Sequence, residues 1–179
     1  MPANIAETLV ALGIAPSVIA ARRLTAHEEA TELAVADIGA DGREYWLQPN
    51  AAEAWRSMKI TAANDGVTVL LGSAFRSVAR QAEIIQMNLD EGRPLDDILA
   101  SIAPPGYSEH HTGRAIDIVS DEVPEIEAAF EGTAAYVWLL ANAKRFGFVM
   151  TYPLGNKDGY VYEPWHWCHH APHASGAGE

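Results

Sequence analysis

The segment Ser108-Glu109-His110-His111-Thr112-Gly113-Arg114-Ala115-Ile116-Asp117 constrains this chain more than any other. It offers an imidazole and, seven residues on, a carboxylate at the start of an apolar strand, the β-branched run Ala115 to Val119. Gly113 lies between them and can adopt φ > 0, so the chain is able to fold back. That turn would bring His110 and Asp117 to a common point which a uniform strand cannot reach. Both side chains suit Zn²⁺.

A second segment, Glu163-Pro164-Trp165-His166-Trp167, adds another imidazole with a carboxylate three residues before it. Pro164 disfavours the α region for Glu163, so an extended entry into a strand is expected. Positions three apart face opposite sides of a regular pleat, and Glu163 and His166 converge only if the backbone bends near Pro164. Together His110, Asp117 and His166 would supply three ligands and leave a fourth position for water, the pattern of catalytic zinc. Glu163 then remains unligated, as a general base for metal-assisted hydrolysis.

The other histidines carry less. His27, His111, His170 and His173 read as surface or satisfied core residues, and His169 either lines the site or ends a strand. The single cysteine, Cys168, excludes an intramolecular disulfide framework and a four-thiolate zinc site, and reads as a buried small hydrophobe. Trp165 and Trp167 read as packing residues.

Around these segments the chain reads as one α+β domain. A helical N-terminal appendage, Ile5 to Leu12 and on through Arg23, precedes a β-hairpin turning at Asp41-Gly42. A helix capped by Asn50 and Glu53 runs to Asn64, and a strand follows from Val67 to Leu71. Helices are expected over Ser77 to Leu89, Pro94 to Ile102 and, broken at Gly132, Glu125 to Phe146. Strands at Phe148 to Tyr152 and Trp165 to His169 complete a small, mainly antiparallel sheet flanked by helices. The expected division is a helical and hairpin region over 1–65, a core over 66–170 and a disordered tail over 171–179.

Acidic residues outnumber basic ones 24 to 12, giving a formal charge of −12 without a basic cluster, so nucleic acid is not an expected partner. No apolar run approaches the roughly 18 residues of a membrane span. The N-terminus as written carries no export signal, which suggests a cytoplasmic location, or the cell envelope if such a signal precedes this sequence. Oligomeric state is not legible.

The sequence resembles the zinc D-alanyl-D-alanine carboxypeptidases of the VanY type, within the wider group of D-Ala-D-Ala dipeptidases, lysostaphin-like endopeptidases and hedgehog domains. Three blocks in order carry the resemblance: Ser73-Ala74-Phe75-Arg76-Ser77 with Gln81, Ser108 to Asp117, and Glu163-Pro164-Trp165-His166. They lie between Leu71 and Trp167 and leave the first 60 or so residues uncovered. The resemblance implies Zn²⁺ at His110, Asp117 and His166, Glu163 as base, and Arg76 polarising the scissile carbonyl or its oxyanion. It also implies Ser108 and Gln81 as contacts for the terminal carboxylate or neighbouring amides.

The family's first block usually reads Ser-Gly-Tyr-Arg-Ser-Tyr. Here Ala74, Phe75 and Val78 stand at the glycine and the two tyrosines, and Cys168 and His169 follow where relatives have Arg and Tyr. The expected reaction is hydrolysis of a C-terminal D-alanine from a peptidoglycan-type peptide. The alternatives are an L,D-carboxypeptidase, a dipeptidase, a cell-wall endopeptidase, or a zinc-containing domain that binds peptides without cleaving them.

Overall fold

The structure, a computed structural model, describes residues 5–170. The tail expected to be disordered, 171–179, lies outside the described residues. Two short helices, α1 (Ile5–Ala11) and α2 (Pro16–Arg22), are followed by a hairpin of β1 (Ala34–Ile38) and β2 (Glu44–Leu47). Then come α3 (Pro49–Asn64), β3 (Leu70–Ser73), α4 (Val78–Asp90), α5 (Leu95–Ser101), β4 (Ala115–Val119), α6 (Ala134–Asn142), β5 (Phe148–Met150) and β6 (His166–His169). Helices and antiparallel strands are mixed without a βαβ repeat, an α+β architecture. Among the described residues no single helix is long and apolar enough to cross a membrane.

The hairpin turns at Gly42, whose φ of 82 is the left-handed value that an Asp-Gly turn supplies. Helix α3 packs across the hairpin through fully buried Trp55, whose indole N–H donates to Asp37 Oδ2 at 3.1 Å. Contrary to expectation, Asn50 does not cap this helix: Pro49 already occupies its first turn, where its fixed φ suits the helix and its missing N–H is not needed. One apolar cluster runs from Ala36 and Leu47 through Trp55, Ile116, Ile118 and Phe148 to Trp167, so hairpin and sheet share a core. A second joins Leu9, Leu12 and Ile14 to Ile85, Ile98 and Leu99, and seats the N-terminal helices on α4 and α5.

The four-stranded sheet has the order β3-β4-β6-β5, all antiparallel. Its central strand β4 is buried along its whole length, which explains the uninterrupted apolar run around Asp117. Register decides what meets what: Ser73 lies opposite Asp117, and Asp117 opposite His166. The β3 ladder slips between Leu71 and Ser73, a bulge at Gly72 that re-aims Ser73. Strand β3 starts at Leu70 and not Val67, because its pairing with β4 begins at Leu70 opposite Val119. Between Glu125 and Phe146 only α6 is α-helical. Short 3-10 turns flank it, and its start is set by Thr133, whose hydroxyl accepts from the Tyr136 N–H.

Candidate metal centre

Gly113 makes the turn the sequence requires. It sits at φ 66 directly after a 3-10 turn over Glu109–Thr112, and the chain passes from His110 into β4 within a few residues. A Cβ at Gly113 would lie 3.0 Å from Leu33 and 3.1 Å from the Gln48 backbone nitrogen, so the glycine also permits close approach to the hairpin. Glu163 and His166 converge through a turn at Pro164-Trp165 and not through a bulged strand. The His166 N–H donates to the Glu163 carbonyl at 3.1 Å, which leaves the Glu163 carboxylate 4.0 Å from His166 Nδ1.

The outcome is three buried side chains, His110, Asp117 and His166, each offering a ligand atom within 4.8 Å of the others. His110 Nε2 lies 3.2 Å from Asp117 Oδ2, and His166 Nδ1 lies 3.0 Å from Asp117 Oδ1. Ligand atoms about 2.1 Å from a tetrahedral zinc stand roughly 3.4 Å apart, so two imidazoles and a carboxylate at these spacings fit Zn²⁺. The outer nitrogens are also committed. His110 Nδ1 faces the Ala74 carbonyl at 2.7 Å and His166 Nε2 faces Glu109 Oε2 at 3.0 Å, which turns Nε2 of the first and Nδ1 of the second inward.

Glu109, which no sequence signal singles out, also belongs to the centre. Its carboxylate also accepts from the Thr151 hydroxyl at 2.6 Å, and so ties the loop after β5 to the back of His166. Nothing in local spacing distinguishes a glutamate beside a histidine from a solvated one, and only the fold brings Glu109 to His166.

The electrostatics separate the carboxylates. Burial raises Asp117, but His110 and His166 outweigh it and hold the carboxyl well below the usual range. Burial likewise raises Glu109, yet hydrogen bonds from His166 and Thr151 bring it down to about 2. Glu163 is the exception: burial, reinforced by Asp117 and Glu109, outweighs His166 and Arg76 and pushes it up to about 7. Burial lowers His110. It would lower His166 as well, but hydrogen bonds to Asp117 and Glu109 raise that imidazole to about 10.

Arg76 is held at two points, donating from Nη1 to Gln81 Oε1 at 3.0 Å and from Nη2 to Ser73 Oγ at 2.9 Å. Its Nη2 also lies 3.8 Å from Asp117 Oδ2. Gln81 is anchored in turn, its amide N–H donating to the Ala103 carbonyl at 2.6 Å. Ser108 is buried and its Oγ accepts from the His110 N–H at 3.3 Å. Arg76, Gln81, Ser108 and Glu163 line one cleft of about 290 Å³ with the three metal-ligand candidates.

His111, His169 and Cys168 stand apart from that cleft. His111 is fully buried between the Arg76 carbonyl and the Gly106 N–H, a satisfied core residue. His169 packs on Phe148, with ring centroids 5.1 Å apart. Cys168 is buried in β6, and burial pushes its thiol upward.

The family described as VanY, D-alanyl-D-alanine carboxypeptidase, matches residues 44–172. YodJ of Bacillus subtilis (strain 168), provisionally named a carboxypeptidase, is 36% identical over 126 residues, which are 68% of this chain and 45% of YodJ. The chain thus spans less than half the length of that curated relative. Among solved structures, the LdcB LD-carboxypeptidase superposes with a TM-score of 0.69 at 32% identity, over 80% of this chain and 70% of that one. The D,D-pentapeptidase VanY of the VanB-type resistance cassette, solved with Zn(II), gives 0.62 at 26% identity, over 82% of each chain. VanYB in complex with D-alanine-D-alanine gives 0.63 at 27%, over 81% of this chain and 80% of that one.

Proposed function

This chain belongs to the VanY family of D-alanyl-D-alanine carboxypeptidases, and from that premise we propose that it is a zinc peptidase releasing a C-terminal D-alanine from peptidoglycan-type peptides. The observation that carries the reading is the pairing of a three-ligand His/Asp/His set with a separate buried carboxylate, Glu163, 4.0 Å from His166 Nδ1. In this proposal His110, Asp117 and His166 hold the ion. When bound, zinc there supplies Lewis acidity, lowering the pKa of water and polarising a carbonyl.

The chain's own residues do the rest. Glu163 accepts a proton on its carboxylate from the attacking water and returns it to the leaving amine. Burial raises this carboxyl, which makes its protonated form a better donor to the amine than a solvated carboxyl would be. Arg76, fixed by Ser73 and Gln81, keeps a positive charge where negative charge develops on the substrate oxygen. Such preorganised donors are typically worth about 3 to 4 kcal/mol of barrier. The Ser108 hydroxyl, already accepting from His110, has its own proton free for the terminal carboxylate. Gln81 acts first by holding Arg76 and only secondarily as a substrate contact.

A second reading draws on the LD-carboxypeptidase likeness: cleavage of the D-alanine that follows an L-centre in a tetrapeptide stem. The test of both is D-alanine release from synthetic penta- and tetrapeptide stems by the zinc-loaded protein, alongside Glu163→Ala. The proposed chemistry requires turnover to collapse in the variant while bound metal persists. Equal turnover in the two proteins removes Glu163 as base, and the preferred stem decides between the D,D and L,D readings.

A further inference from the structure

A run of touching side chains ends on the metal-ligand candidate His166 and begins outside the residues matched by the family. The His166 ring lies 4.6 Å from that of Tyr152 with 23° between their planes, and Tyr152 lies 4.7 Å from Tyr160. The guanidinium carbon of Arg22 sits 4.2 Å over the Tyr160 ring. Arg22 comes from the last turn of α2, in the N-terminal appendage.

Arg22 also joins two stretches of backbone. Its Nε donates to the Asp158 carbonyl at 3.0 Å and its Nη1 to the Leu99 carbonyl at 2.6 Å. One side chain therefore ties the end of α5 to the loop that bears Tyr160, while capping the ring of Tyr160 itself. The geometry is that of a clamp: a planar cation on an aromatic face, with Nε and Nη1 in hydrogen bonds and Nη2 buried without a partner among the described residues.

Tyr160 lines the cleft alongside Glu163 and Arg76. It is only 8% exposed, and its hydroxyl has no hydrogen-bond partner among the described residues. A buried phenol is costly to leave unpaired and is normally found with an acceptor. Burial keeps the group protonated, so it presents a donor. The cleft already offers Arg76 and Ser108 for a carboxylate, and the complement to a further neutral donor on its wall is a peptide carbonyl.

We propose that Tyr160 contacts the substrate, its hydroxyl donating to a backbone carbonyl of the bound peptide, and that Arg22 is the positioning residue that holds it. The contact rests on the peptidase reading; the clamp does not. The test uses the full chain loaded with zinc and the variants Tyr160→Phe, Arg22→Gln and Arg22→Lys. Tyr160→Phe is expected to raise KM about tenfold, the worth of one hydrogen bond to a buried group, with kcat and bound zinc unchanged.

Arg22→Gln is expected to raise KM equally, the double variant is no worse than Arg22→Gln alone, and Arg22→Lys recovers part of the loss. Trypsin cleavage after exposed Lys157, in the clamped loop, should accelerate in Arg22→Gln whether or not substrate is present. A wild-type KM in Tyr160→Phe overturns the contact. Unchanged cleavage at Lys157 in Arg22→Gln, or loss of zinc and cooperative folding in that variant, overturns the positioning role. A wild-type protein inert toward both stems removes the peptidase reading and the Tyr160 contact together, while the trypsin result still judges the clamp.

Discussion

Replacing Glu109 with alanine removes the acceptor behind His166 without touching any of the three ligand candidates. The magnitude follows from the geometry. Glu109 Oε2 is 3.0 Å from His166 Nε2, and the imidazole is 2% exposed. A hydrogen bond to a charged group is worth about 1.5 to 3 kcal/mol, and loss of a partner behind a metal-bound histidine typically weakens binding about 10- to 100-fold. Taking about 2 kcal/mol, zinc affinity in Glu109→Ala should fall roughly 30-fold. Glu109→Gln keeps a neutral acceptor and should fall only several-fold. Thr151→Val loses the hydroxyl that orients the carboxylate and should lie between wild type and Glu109→Ala. The assay is competition for zinc against a chromophoric chelator at fixed pH and ionic strength, with thermal unfolding as a control for folding. Wild-type affinity in Glu109→Ala, with the fold intact, would refute the reasoning, because His166 would then need no carboxylate to present Nδ1.

The raised pKa of Glu163 sets a sign for the pH profile: a base acts only when ionised, so kcat/KM should fall as pH drops through its pKa. A divalent cation beside the carboxylate favours its charged form, placing the acidic midpoint below the metal-free value of about 7; in Glu163→Gln this limb should vanish along with most of the activity, as pH–rate profiles would show. Arg76→Lys keeps the charge but loses the two-point hold by Ser73 and Gln81, and kcat/KM should fall about 100-fold or more with zinc retained, as steady-state kinetics with metal analysis would reveal. Gly113→Ala places a Cβ 3.1 Å from the Gln48 backbone nitrogen at φ 66, so denaturant unfolding should show a loss of about 1 to 3 kcal/mol; an unchanged midpoint would mean the turn tolerates a side chain.

What the sequence made legible is what local chemistry determines. Asp41-Gly42 fixes a hairpin by its turn geometry, the apolar run around Asp117 marks a strand buried on both faces, and Gly113 announces the reversal that brings His110 to it. The residues His110, Asp117, His166, Glu163, Arg76, Ser108 and Gln81 all meet at one cleft. Where local signals compete, they mislead. Asn50 and Glu53 spell a capping box that Pro49 pre-empts, and the residues from Glu125 to Phe146 favour helix more broadly than the chain can pack it. Glu109, Tyr152, Tyr160 and Arg22 were not legible at all. Their partners are set by sheet register and by the docking of α1 and α2 on α4 and α5, and neither leaves a trace in spacing along the chain.

The most direct measurement is metal content of the purified chain, by mass spectrometry after exposure to zinc and removal of excess ion, for wild type and for His110→Ala, Asp117→Ala and Glu163→Gln. The expected result is one zinc per chain in wild type and in Glu163→Gln, and little or none in the two ligand variants. Wild type that retains no zinc, or ligand variants that retain as much as wild type, would contradict a metal centre built from His110, Asp117 and His166.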